Sequence, residues 1–515
     1  ANYQKNKYEL KLDGSWLLSD GVEKTDFLRH NLSLSKNWKK IKVGIEDKHE
    51  RNKFFVTNSS LLTPLSYQFL DIKTYLSSSD SSINKYELYY QQRYDWSSDS
   101  VRLKQSAVAQ NYGISTQFLK NRNNIVKLNV NYRVLNVLDT ALINFKPENT
   151  ILGRLENHLK AFKGVLASNT YYELGSGLEL KKEFVYLLVN PGQGAYSWND
   201  YNNDGVKDLG EFEVSQFTDQ AEYIRVFLPT NEYIRTYSNQ FSQTIFIKPE
   251  RIWRNKKGVK KQIARFSNQL VYKVNRKTSY EEGVNAFNPF TVKLADSSLI
   301  SSSSTFRNTL YFNRVNSVFG FDYTYQENGS KILLSNGFDS RLHTFNKVKI
   351  RWNITRIHTL KLEAITGRKK SNSDYSSNRN YFISYQEVKP VYSFQPNAKL
   401  RLSLNGKYSS KLNNSELLEK AIIKDIGVEF RLNQPKKGSF LGHFNFITIV
   451  YNATNNSSLA YEMLEGLKTG NNFTLGLSYQ RKVAKNLQLN FNYNGRKSEN
   501  NPMIHSGGME LRAFF

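Results

Sequence analysis

Polar and apolar residues alternate with a period of two along most of the chain. Val126, Leu128, Val130, Tyr132 and Val134 interleave with Lys127, Asn129, Asn131 and Arg133. Ala398, Leu400, Leu402, Leu404 and Tyr408 interleave with Lys399, Arg401, Ser403, Asn405 and Lys407. That period sends the two sets to opposite faces of a β-strand. Toward the end, Phe473, Leu475, Leu477 and Tyr479 predict one strand, Leu487, Leu489, Phe491 and Tyr493 a second, and Met509, Leu511, Ala513 and Phe515 a last one. With Gly, Asn, Ser and Pro taken as boundaries, the pattern predicts about 22 strands, in a range of roughly 20 to 24. No helical pattern of similar length competes, and no segment approaches the ~18 consecutive apolar residues of a membrane-spanning helix.

The connectors alternate in length. Short links fall near 314–317, 355–356, 396–397, 433–438 and 484–485, and longer ones near 277–302, 327–337, 369–379, 410–420, 453–471 and 499–505, with 249–261 a longish exception among the short set. A string of soluble β-sandwiches, the competing reading, should show linkers between repeats and has no reason to keep this parity. The expected fold is therefore an all-β transmembrane antiparallel β-barrel with short periplasmic turns and long extracellular loops, residues 1–515 forming one domain. Strands cross hydrocarbon only where every backbone group is paired, which requires a closed barrel. The closing strand, apolar at Met509, Leu511 and Ala513 and ending on Phe515, resembles the C-terminal signal of bacterial outer-membrane β-barrels. That resemblance implies the outer membrane of a Gram-negative bacterium, with lipopolysaccharide as a neighbour.

Composition agrees with a chain that meets lipid on one face and water on the other. There are 32 Tyr and 32 Phe, yet the mean hydropathy is -0.58. The absence of cysteine removes disulfides and thiolate chemistry. A formal net charge of +27 calls for polyanionic surroundings. The cations are spread along the chain rather than gathered in one stretch, so nucleic acid is not expected as a partner. Facing a lumen, Lys127, Arg133, Lys399, Arg401 and Lys407 would make it basic, suited to anionic solutes or an acidic polypeptide, or would only keep it wet. Seven scattered histidines form no metal-ligand pair and no recognisable catalytic set, so no enzymatic role is expected.

One connector, 183–232, reads as an extracellular insertion. It holds a match to the twelve-residue EF-hand-like calcium loop: Asp200, Asn202 and Asp204 at positions 1, 3 and 5, Gly205 at the sharp turn, the carbonyl of Val206 at 7, Asp208 at 9 and Glu211 at 12. Oxygen donors wrapped in that spacing suit one hard cation, and a structural Ca2+ is expected. The alternative is an Asx-rich turn without metal, since Asn202-Asn203-Asp204-Gly205 is also turn chemistry. Pro191-Gly192-Gln193-Gly194 with Tyr196, the acidic loop, and the run from Phe217 to Phe227 together resemble large, poorly characterised outer-membrane proteins of Bacteroidota. The resemblance implies a C-terminal barrel that follows a long N-terminal region.

A barrel of about 22 strands has a lumen wide enough to need a plug. The insertion, a preceding region or another protein could supply it. The function expected from the sequence is a scaffold or conduit subunit of an envelope transport, secretion or surface-assembly complex, with other envelope proteins as partners. A stand-alone gated channel for small solutes, or a barrel anchoring a surface-binding loop region, are the alternatives.

Overall fold

A computed structural model describes residues 2–21, 24–57, 59–143, 147–279, 286–290, 299–334, 337–374, 379–415, 418–435, 437–484, 486–499 and 501–514. Among them, 25 strands are hydrogen-bonded into ladders. Three are short, Asn2–Lys5, Tyr196–Trp198 and Phe212–Val214, and the other 22 run for ten residues or more. The chain divides into two units: residues 1–179, 233–244 and 273–299, and residues 180–232, 245–272 and 300–515.

In the first unit, consecutive strands from Asn2–Lys5 to Leu166–Leu188 pair antiparallel with their sequence neighbours. Two glycines are fixed by close approach. A Cβ on Gly44 would sit 2.4 Å from the Tyr75 ring and one on Gly113 2.0 Å from the Tyr89 ring. Each tyrosine ring end rests against a backbone bare of a side chain, so any larger residue would have to push the ring aside.

In the second unit, strands from Leu299–Phe312 to Ile504–Ala513 form an unbroken run of antiparallel ladders. Its faces differ as the alternation predicts. In Lys420–Gln434, Ile426 is 64% and Val428 50% exposed, while Ala421 and Ile423 on the other face are 0% and 2% exposed. Exposed apolar side chains on a regular face are what a strand presents to lipid; a strand facing water would carry polar residues there. In the last strand Met509 and Leu511 stand exposed opposite Phe491 and Leu489. Ala513 ends that strand, and Phe515 lies outside the described residues.

Several boundaries depart from the sequence reading. The insertion is shorter than 183–232, because Leu166–Leu188 and Tyr223–Ile247 run on as paired strands and leave 189–222 as the connection. Their apolar residues find an aromatic core: Tyr186 stacks on Phe212 at 4.0 Å, and Phe212 meets Tyr223 at 5.0 Å. The long loop expected at 327–337 is also absent. Asn328, Gly329 and Ser330, turn formers by propensity, stay in register with His343, Leu342 and Arg341, so the connection narrows to 335–336. Ladder pairing overrides local turn propensity here. Lys399 belongs to the exposed turn before Leu400–Asn413, not to the strand.

Candidate functional site

The connection 453–469, expected as plain loop, folds into a helix, Ser458–Met463. Ser457 caps it by accepting from the Ala460 amide at 3.0 Å. Gly466, at φ 72°, closes it with a bond from its amide to the Tyr461 carbonyl at 3.0 Å. Leu459, Ala460, Met463, Leu464 and Leu467 recur at helical spacing and bury themselves against Ile383, Ala421, Ile423, Ile447 and Ile449, with Phe217 at the margin. A water-excluding core thus sits on the covered face of these strands. The stripe from Leu459 to Leu467 behind Ser457 was the sequence signal for it.

Beside this core, polar groups tie the insertion to the helix and to the strands of the same unit. Ser458 Oγ donates to Glu213, and Arg379 lies 3.5 Å from the same carboxylate. The Gln216 amide donates to Tyr461 Oη at 3.0 Å, and Asn456 donates to the Tyr201 carbonyl at 3.1 Å. Arg496 reaches Asp219 at 2.8 Å with its guanidinium 4.0 Å over the Phe217 ring. Burial pushes the Glu213 carboxyl above its ordinary value, only partly offset by Arg379 and Ser458. Glu465 behaves oppositely. Burial would raise it, but Lys411 and Lys407, at 2.9 and 2.7 Å, outweigh that and hold it at about 2. Glu462, paired with Lys369, is likewise held below its ordinary value despite burial.

The expected basic lining is therefore largely paired. Lys407 faces Glu465 and Glu387, Arg401 lies 3.6 Å from Glu429, and Lys127 lies 3.3 Å from Glu156. Arg133 is exposed on its strand and Lys399 in its turn.

The calcium-loop residues occupy a tight turn, with Asn203 at φ 59° and Gly205 at φ 72°. Asp200 accepts from the amides of Asp204 and Gly205, and Asp204 from that of Val206. Asn202 and Asp208 are exposed at its rim. Glu211 is buried and turned to the Trp198 indole at 2.8 Å and the Tyr201 amide at 3.1 Å. Among the described residues no three His, Cys, Asp or Glu side chains gather about one point. The donor set is all oxygen and suits a hard cation, provided Glu211 swings from Trp198 toward the turn.

Neither a protein-family model nor a curated protein matches the chain. Among solved structures it is similar to the siderophore receptor PirA from Pseudomonas aeruginosa, at 7% identity and TM-score 0.34 over 100% of this chain and 81% of that one. It is similar also to the FrpB iron transporter from Neisseria meningitidis, at 8% identity and TM-score 0.36 over 99% and 81%. BauA, the ferric preacinetobactin receptor from Acinetobacter baumannii, aligns at 11% identity and TM-score 0.34 over 96% and 72%. At these TM-scores the likeness stops short of a shared backbone, and no residue role passes from those receptors to this chain.

Proposed function

We propose that the chain is an outer-membrane β-barrel of about 22 strands that serves as a gated conduit of the envelope, with its own long connections as the closure. One observation carries this reading. In the second unit one face of the ladder leaves apolar side chains such as Ile426, Val428, Phe444 and Val450 open, while the opposite face, which mixes Glu387, Ser409 and Lys411 with Ile383, Ile423 and Ile449, is covered by 453–469 and the insertion around a buried core. A water-soluble sheet would carry polar side chains on its open face. The cover also takes the place of the separate plug that a wide barrel requires. A scaffold role inside a larger envelope complex is the second reading, and stoichiometric partners retained in mild detergent would favour it.

The test is conductance of the purified chain in planar bilayers. The wild type should insert and stay mostly closed, and Arg496→Ala with Glu213→Ala should raise the open fraction severalfold. Equal conductance of both proteins would remove the loops as the gate, and failure to insert would remove the barrel.

We further propose that the turn Asp200 to Glu211 takes a structural Ca2+, through Asp200, Asn202, Asp204, the Val206 carbonyl, Asp208 and Glu211. As an extracellular module it should bind with a Kd on the order of 10⁻⁴–10⁻³ M. Calorimetry checks this: heat that Asp200→Asn with Asp204→Asn abolishes supports the site, and no heat in the wild type leaves only an Asx-rich turn.

A further inference from the structure

The antiparallel order of the second unit sends every short turn to one edge, and that edge is cationic. The connection 248–265, from Tyr223–Ile247 to Phe266–Ser279, carries Lys248, Arg251, Arg254, Lys256, Lys257, Lys260, Lys261 and Arg265 against one acid, Glu250. Next to it, Arg265 donates to the Asn313 side chain at 2.9 Å and the Asn313 amide to the Arg265 carbonyl at 2.8 Å, which joins this connection to the following turn. Arg314, Arg356, Lys399 and Lys437 then place an exposed cation in four successive short turns, and the described residues of these turns include no acid.

Apolar side chains stand exposed between the cations. The connection forms two helical turns, Glu250–Trp253 and Val259–Ile263, and Val259 is 74% exposed, with Ile263 exposed beside it. Val315 and Val318 flank Arg314, and Ile354 and Ile357 flank Arg356, all exposed. The exposed apolar face of the strands runs into this edge through Trp352, Phe266 and Ile247. A surface that grades from lipid-facing side chains into mixed aliphatic and cationic ones matches the chemistry of a membrane interface: aliphatic groups dip below the headgroups while ammonium and guanidinium groups meet phosphate.

We infer that this edge, centred on 248–265, is a binding surface for anionic phospholipid headgroups of the leaflet on the short-turn side. The inference rests on the reading of the chain as a membrane-spanning barrel. Charge complementarity selects the occupant. Basic residues at a membrane surface attract anionic lipid, each adding modestly and the attraction fading beyond a Debye length. An acidic polypeptide would satisfy the cations but would leave Val259, Ile263, Val315 and Ile354 facing water.

The experiment reconstitutes the full chain in phosphatidylcholine bilayers containing about one third phosphatidylglycerol. Spin-labelled lipids then report the relative association of the two headgroups with the protein. The wild type should prefer phosphatidylglycerol severalfold, and the preference should fall as salt rises. K256Q/K257Q/K260Q/K261Q should lose most of it, and K399Q/K437Q, on separate turns, a smaller part. Equal association of both lipids with the wild type, or a preference that the quadruple variant retains in full, overturns the inference while leaving the barrel intact. Binding of polyglutamate by the inserted protein without any lipid preference also overturns it and assigns the edge to an acidic protein. Failure to insert in either bilayer instead overturns the barrel reading on which the inference depends.

Discussion

At the scale of single residues, two carboxylates in the loop cover titrate in opposite senses. Glu465 is held at about 2 by Lys411 and Lys407, against an ordinary value of 4.5. A depressed folded pKa stabilises the docked loop above the ordinary value, and that stability is lost as pH falls from 4.5 toward 2. Glu213 is pushed upward by burial. Its contribution is most favourable when protonated and declines as pH rises through and above 4.5. Docking should therefore weaken at both acid and higher pH, and hydrogen exchange of the amides in 458–467 across pH 2 to 8 should read the least opening between the two limits. Glu465→Gln leaves the buried Lys411 ammonium without its counter-charge; because the Glu465 side chain is 37% exposed and water screens the pair, the loss should fall below the ~3–5 kcal/mol of a fully buried pair. Proteolysis within 453–469 should rise sharply in that variant, and protection equal to the wild type would show that the pair does not hold the loop.

At the scale of elements, the cover helix depends on packing more than on its own propensity, since six residues cannot sustain a helix in water. Met463 is fully buried among Ile383, Ile423 and Ile449. Met463→Ala should cost the docked state about 2–5 kcal/mol, against about 1 kcal/mol for loss of the cap in Ser457→Ala. Exchange rates of the helix amides in the two variants would rank these effects. In the strands, Gly113→Ala drives a methyl into the Tyr89 ring and should cost about 1–3 kcal/mol of overpacking. Adding Tyr89→Ala should return part of that loss, and thermal melts that show simple additivity would exclude the contact as the cause.

At the scale of the whole molecule, a conduit closed by its own connections should leave native membranes in mild detergent without stoichiometric partner proteins. Native mass spectrometry checks this, and stoichiometric partners would move the reading to a scaffold in a larger complex. The alternation at Val126 to Val134 and at Leu400 to Tyr408 determined strand type and the facing of each side chain, because a period of two is a local property of the backbone. The cap at Ser457 and the stripe through Leu467 were also legible locally, yet a short helix inside a connector competes with turn chemistry and is decided by what it packs against. Asn328 to Ser330 read as a turn because propensity is local, whereas the ladder that kept them extended is made by residues 341–343. The tight turn from Asp200 to Gly205 was legible, but the placement of Glu211 against Trp198 is a tertiary contact. The cations of 248–265 and of Arg314, Arg356, Lys399 and Lys437 looked dispersed along the chain. Antiparallel pairing returns each hairpin to the same edge, so only the folded ladder made them one surface.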